Sequence, residues 1–164
     1  MTAGVRALAG DDGDVALGRQ LVREYVVATA EETGIAVETV VNLVPDLHDF
    51  AARYLRGGAY LVATTADRVA GGVGITPRRD ATCEMNRLWV RPDFRRRGIA
   101  RTLVRAALDE ARALGFARMV LDVVPTRAGA IALYRSLGFS DIPPFHDYGF
   151  EMVAFAKDLT EASR

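Results

Sequence analysis

Six residues in the middle of the chain, Arg95-Arg96-Arg97-Gly98-Ile99-Ala100, have the composition of an anion-binding helix start. They follow the apolar stretch Leu88-Trp89-Val90 and the turn Arg91-Pro92-Asp93-Phe94, and they run into the amphipathic segment Arg101 to Gly115. The first turn of a helix carries amides with no intrahelical acceptor and about half a positive charge, which together suit a diphosphate. Gly98 suits the same purpose, because a residue without Cβ lets an anion approach the backbone and accepts unusual dihedrals. The charge is distributed to match. Residues 87–105 hold seven arginines against Asp93, a net of +6, whereas residues 1–60 hold five arginines against nine acids, a net of −4.

Other chemically suggestive residues carry less. Gly71-Gly72-Val73-Gly74 lies in a strand-like run with no helix start after it, so close strand packing is expected there and not a phosphate loop. Cys83 is the single cysteine; it cannot form an internal disulfide, which fits the cytoplasm, and a small buried strand residue is its default role. His48 and His146 lack metal-ligand spacing, and no metal is expected. His146 sits in the aromatic-rich loop PPFHDYGF, which either covers a binding site or packs on the surface.

The elements that must position these residues follow from periodicity and turn chemistry. Val5 to Leu8 is expected to be a short strand, and GDDGDV supplies turn and cap residues for a helix with the stripe Leu17, Leu21, Tyr25 and Ala28. A shorter helix is expected over Asp46–Leu55, between Pro45 and Gly57-Gly58. Ala59–Thr64 and Val69–Ile75 read as a hairpin around Thr65 to Arg68, and Thr82–Val90 as a longer strand. The helix after Gly98 has apolar residues at Ile99, Leu103, Ala107, Ala111 and Leu114 and stops at Gly115. Arg118–Val124 is a strand, Ala128–Leu137 a short helix closed by Gly138, and Phe150–Leu159 a last strand. Strand-helix-strand in the second half calls for parallel pairing, and the hairpin calls for antiparallel pairing beside it.

The bulk properties fit a single domain over 1–164, with half its residues apolar and no apolar run near the ~20 residues that cross a bilayer. The N-terminal MTAGVRALAGDDGD lacks the apolar core of a secretory signal, so a cytoplasmic chain without a membrane partner is expected. Zero net charge and the lack of aromatics interleaved with the arginines argue against nucleic acid. A monomer or a homodimer paired through the last strand fits equally.

Arg95 to Ala100 resembles the acyl-CoA-binding signature of the GNAT superfamily of N-acetyltransferases, Gln or Arg followed by x-x-Gly-x-Gly or Ala. LWVRPDF looks like that superfamily's fourth strand and turn, and AIALYRSLGF like its second signature, a helix carrying a tyrosine and ending in Leu-Gly-Phe. The resemblance covers a cofactor-binding core at residues 82–139 and, in element order, the whole chain. It implies an α/β (α+β) fold with a mixed sheet of about six or seven strands flanked by about four helices. It also implies acetyl-CoA as acyl donor, with Arg95, Arg96, Arg97, Gly98, Ile99 and Ala100 at the pyrophosphate. Leu88, Trp89 and Val90 would pair with pantetheine through their backbone. Arg127 and Ala130 are expected at the cofactor too, although Arg127 stands where the family often has Asn.

A thioester is already activated, so an amine attacking it needs positioning, loss of a proton, an oxyanion donor and a proton for the leaving thiolate. Glu84 is the candidate base, since the superfamily often has a glutamate there and strand parity puts it on one face with Asn86, Leu88 and Val90. An ion pair with an arginine such as Arg78 is the plainer role for it. Tyr134 is the candidate acid, a phenol of pKa ~10 at the signature position, with helix packing as its plainer role. The expected reaction is acetyl transfer to a primary amine, through direct attack in a ternary complex. The acceptor is a small molecule, favoured by the aromatic loop near Phe145, or a protein N-terminus or lysine. A non-catalytic acyl-CoA sensor is the reading from another class.

Overall fold

The computed structural model describes residues 2–160; residue 1 and residues 161–164 of the expected 1–164 domain lie outside it. The centre is a hairpin of β2 (Ala59–Thr65) and β3 (Arg68–Pro77). Its two-residue turn holds Ala66 and Asp67 at φ +50° and +61°, the left-handed pair that matches the twist of the flanking strands. β1 (Gly4–Ala7) adds to β2, and β4 (Thr82–Val90) adds antiparallel to β3. With β5 (Arg118–Val123), β6 (Ser140–Ile142) and β7 (Val153–Asp158) the sheet has seven strands in the order β1-β2-β3-β4-β5-β7-β6. The mixed sheet is the expected one. The last strand, however, is covered on both edges by β5 and β6, so it offers no free edge for the expected dimer pairing.

Two layers of helix cover the sheet. α4 (Ile99–Ala113) lies on one face and buries Ile99, Leu103, Val104, Ala107, Leu108 and Ala111, while the expected stripe member Leu114 is 42% exposed. α5 (Ala128–Ser136) lies on the same side, with Tyr134 in that core. The other face packs against α1 (Asp12–Thr33), α2 (Val37–Asn42) and α3 (Phe50–Tyr54). α1 starts at Asp11, whose carboxylate accepts from Asp14 N–H at 2.9 Å. Its fully buried residues are Leu21, Val22 and Val26, so the apolar stripe is rotated from the expected one and Tyr25 and Ala28 are left on the flank. No described helix is long and apolar enough to cross a membrane.

Three departures from the sequence reading matter for the site. The helix expected over Asp46–Leu55 is a 3-10 turn at Pro45–Leu47 followed by α3, because the Asp46 side chain turns inward and Asp49 caps the second helix through Ala52 N–H. α2 and β6 fall outside the elements that periodicity predicts. The third departure lies in β4. Gly72 pairs with Trp89 and Gly74 with Asn86, so Arg87 and Leu88 stand opposite Val73 alone, and Arg87 adopts φ +55°. This β-bulge breaks the expected parity. Glu84 and Asn86 stay on the α1 face, where Asn86 meets Tyr54, but Leu88 and Val90 pack against the α4 core and Trp89 against the α1 core. The glycines opposite are there for close packing, as expected: a Cβ on Gly71 would overlap the Trp89 carbonyl, and one on Gly74 the Tyr54 ring.

Candidate active site

β4 and β5 run parallel for only a short distance. Thr82, Cys83 and Glu84 pair with Arg118, Met119 and Val120, and from Met85 onward β4 is bonded to β3 alone. The strands therefore fork, and the open side of β4 faces a cleft of about 870 Å³ bounded by Leu88, Trp89, Val90, Arg95, Ala100, Arg127 and Ala130. These are seven of the residues expected at the cofactor; Tyr25 and Ala28 of α1 form the opposite wall.

The cleft ends at the turn into α4. Arg96 and Gly98 both have positive φ, +63° and +75°, and Gly98 is the N-cap with no side chain bonded to the helix amides. The direction in which a Cβ on Gly98 would point is open space. Free first-turn amides with nothing over them are the arrangement a diphosphate requires. Arg95, Arg96, Arg97 and Gly98 are exposed, whereas the Ile99 side chain is buried in the core and offers the site only its backbone. Arg95 stacks 5.1 Å from the Trp89 ring and donates through Nε to the Val90 carbonyl at 3.1 Å. Arg97 lies over Phe94.

Arg127 precedes the first turn of α5 and reaches across to α1. Nε donates to Glu32 Oε2 at 2.8 Å, Nη2 to Thr29 Oγ1 at 2.8 Å and Nη1 to Tyr25 Oη at 3.2 Å. Its guanidinium is thus engaged by protein, at the rim of the cleft.

A second cavity, of about 50 Å³, shares Tyr25 with the cleft and lies on the α1 face. Asn86, Arg87, Asp122 and Tyr148 line its polar part, while Leu43, Val44, Phe150 and Met152 line its apolar part. Tyr148 and Phe150 come from the aromatic loop after β6, so that loop covers this cavity. Asp122 is reached by simple alternation: Leu121 and Val123 point into the α4 core, leaving Asp122 on the face of Glu84 and Asn86. Its Oδ2 is hidden from solvent and takes no hydrogen bond from the described residues. Burial, reinforced by the negative charge of Glu84 and opposed by His146, Arg87 and Arg78, pushes the carboxyl up to about 6.

Arg87 is held by a buried network. Asp46 is fully buried and accepts from Arg53 Nε at 3.0 Å, from Arg87 Nε at 3.0 Å and from the Tyr54 hydroxyl. The same hydroxyl lies 2.8 Å from Asn86 Oδ1, and Asn86 Nδ2 donates to Thr76 Oγ1 at 3.1 Å.

Glu84 lies at the base of the fork, 4% exposed. It makes the expected contact with Arg78, whose Nη1 is 3.2 Å from Oε2, and His146 Nε2 is 3.0 Å from Oε1. Glu84 borders neither cavity. Tyr134 is 5% exposed and packs on Phe139 and Phe155. Burial, with smaller influences from the Tyr25 hydroxyl and Asp122 against Arg127, raises its phenol well above the ordinary range. Cys83 is buried, its thiol pushed up to about 12 by desolvation. No cluster of three or more His, Cys, Asp or Glu among the described residues could hold a metal ion.

Sequence reasoning passed over Asp122, Arg87 and Tyr25. The one available signal for Asp122 was a lone acid inside the β-branched run Met119 to Val124.

Residues 41–139 match the Acetyltransferase (GNAT) family. The chain is 38% identical over 106 residues to human N-acetyltransferase 8, a match that takes in 60% of this chain and 47% of that protein. It is also 33% identical over 131 residues to an uncharacterized Schizosaccharomyces pombe N-acetyltransferase, with 78% and 77% of the two chains covered. The Salmonella typhimurium protein yncA, solved with its cofactor acetyl-CoA, superposes with a TM-score of 0.75 at 24% identity, over 100% of this chain and 98% of that one. That likeness speaks to the fold, while the family match and the sequence relatives speak to descent. The chain belongs to the GNAT family of acetyltransferases.

Proposed function

We propose that this chain is an N-acetyltransferase that moves the acetyl group of acetyl-CoA to a primary amine of a small molecule, by direct attack within a ternary complex. The observation that carries the reading is the fork between β4 and β5. It leaves Leu88 to Val90 without a strand partner on one side, and that side faces a cleft of about 870 Å³ which ends at the uncapped turn of Gly98.

In this reading the amides from Arg95 to Ala100 hold the pyrophosphate, with the Arg96 and Arg97 side chains adding positive charge around it. Leu88, Trp89 and Val90 offer backbone groups to pantetheine, and one of these amides polarises the thioester carbonyl. Ala130 and Arg127 close the cleft from the α5 side, Arg127 through its hold on α1. Tyr134 supplies the proton to the departing thiolate; burial keeps the phenol protonated at neutral pH and also makes it the weaker acid. Glu84 drives deprotonation of the acceptor through a neighbour, since Arg78 and His146 occupy its own oxygens. The aromatic loop over the smaller cavity supports a small acceptor, because it narrows the approach to Asp122 and Arg87.

The test is release of CoA thiol from acetyl-CoA with a mixed panel of small amines, alongside calorimetry with CoA. Micromolar CoA binding with amine-dependent thiol release is the expected result. CoA binding with thiol release no faster than hydrolysis for every amine defeats the enzymatic reading, and absence of binding defeats the cofactor site itself.

A further inference from the structure

We propose that the acceptor is an α-amino acid with an apolar side chain, held as its zwitterion between Asp122 and Arg87; this rests on acetyl transfer to an amine at this site. The two side chains carry opposite charge, line the same cavity of about 50 Å³, and make no ion pair with each other. Buried opposite charges that share a cavity normally pair, because each leaves water at a cost that only a partner offsets. Here both remain incomplete. Asp122 Oδ2 is hidden and accepts nothing from the described residues, and of the Arg87 donors only Nε is engaged, by Asp46.

The local charges are divided in the same way. Asp46 provides one negative charge to two guanidiniums, Arg53 and Arg87, and Arg87 is the more buried of the two, with its side chain 11% exposed against 32%. The balancing charge sits apart on Asp122, so the Arg87 Nη groups are left for a ligand carboxylate, which a rigid fork grips well, while Asp122 takes the ammonium. The chain holds Arg87 there by a bulge and a left-handed φ of +55°, a strained conformation of the kind kept where a side chain must be re-aimed.

Size and chemistry agree. About 50 Å³ is room for one or two waters at ~30 Å³ each, so the cavity selects a compact ligand. Leu43, Val44, Phe150 and Met152 in the wall of the same cavity present apolar contacts to a side chain. Asp122 accepts one proton from the α-ammonium, whose pKa lies below the ~10 of an alkyl ammonium. The freed lone pair forms the C–N bond at the thioester carbonyl and the C–S bond breaks with its electrons on sulfur. Of the three ammonium protons, one passes by way of Asp122 to water. A second is lost as the amide forms, the thiolate takes one proton from Tyr134, which recovers it, and the third stays on the amide nitrogen. The net release is one proton.

The test uses the full chain and begins with calorimetry against CoA; absence of binding overturns both this inference and the reading beneath it. With binding established, CoA release is followed with L-leucine, L-leucinamide and 3-methylbutylamine, which share a side chain and differ in the carboxylate. The KM for leucine is expected to be at least tenfold below that of either analogue. Asp122→Asn is expected to lower kcat/KM for leucine at least 100-fold and to leave CoA affinity within threefold. Turnover of leucinamide or 3-methylbutylamine equal to that of leucine, no turnover of any apolar amino acid, or an Asp122→Asn variant as active as the parent overturns the inference and leaves acetyl transfer standing. The substrate arms need no variant, so they decide the matter even if Asp122→Asn folds poorly.

Discussion

Arg127 Nε lies 2.8 Å from Glu32 Oε2, and through this ion pair the start of α5 is fastened to α1 across the mouth of the cleft. Both side chains are largely covered, 21% and 31% exposed, and Thr126 Oγ1 adds a second contact to the same glutamate at 3.0 Å. The hydrogen-bonding groups of Arg127 thus face the protein.

Replacing Arg127 by Asn removes the reach to Thr29, Tyr25 and Glu32 together. Three hydrogen bonds from the cationic guanidinium, one of them to a carboxylate, contribute about 1–2 kcal/mol net at a partly exposed site. The expected outcome is a lower Tm with CoA affinity changed less than threefold. A tenfold loss of affinity that grows at low ionic strength would instead show that Arg127 grips a phosphate.

Gly98 and Gly74 separate the cleft from the core. Alanine at Gly98 meets open space but must hold φ +75°, which costs about 1 kcal/mol and distorts the turn. CoA affinity should fall at least tenfold while the fold survives. Alanine at Gly74 has an ordinary φ but overlaps the Tyr54 ring and Asn86, so it should cost 3 kcal/mol or more, about the upper end for overpacking. Thermal melts with and without CoA read both. Equal loss of stability in the two variants would contradict the assignment of Gly98 to the ligand.

The sequence carried the elements better than their consequences. Thr82–Val90 was delimited correctly because its apolar run is closed by a hairpin loop on one side and Pro92 on the other. The Gly98 turn was legible because its residues act locally. Parity failed at Leu88 and Val90 because it assumes an unbroken pleat, and the bulge at Arg87 is set by the glycines of the neighbouring strand. Asp46 looked like a helix start after Pro45, but it anchors Arg87, 41 residues away, through a contact that no local pattern encodes. Asp122 gains its meaning from the fork, since a continuous β4–β5 ladder would have buried it against a neighbour.

Tyr134→Phe tests the proton donor with little disturbance to packing. The ring contacts with Phe139 and Phe155, at centroid separations of 5.9 and 6.2 Å, survive the change. Loss of a general acid costs about 10²–10⁴ in kcat, so a fall of at least 100-fold with Tm within a few degrees is expected. A kcat within threefold of the parent would reduce Tyr134 to a packing residue.

Asp122 ties stability to activity with opposite signs. Its carboxyl, near 6 in the folded chain against ~3.9 unfolded, is raised, so folding favours its protonated form. That contribution is fully present below about pH 4 and is lost as pH rises through about 6. Asp122→Asn should therefore stabilise the chain at pH 7.5, by on the order of 2 kcal/mol, and change nothing at pH 4. In the proposed role the carboxylate is the active form, so kcat/KM of the parent should fall as pH drops through about 6, and this limb should vanish in the variant. The groups whose charge Asp122 feels set where the limb lies: Glu84 and Arg87 from β4, Arg78 just beyond β3, and His146 from the aromatic loop. Glu84→Gln removes a negative charge and should move the limb down, whereas His146→Gln removes the opposing positive charge and should move it up. A limb that survives Asp122→Asn would assign the proton acceptor to another group.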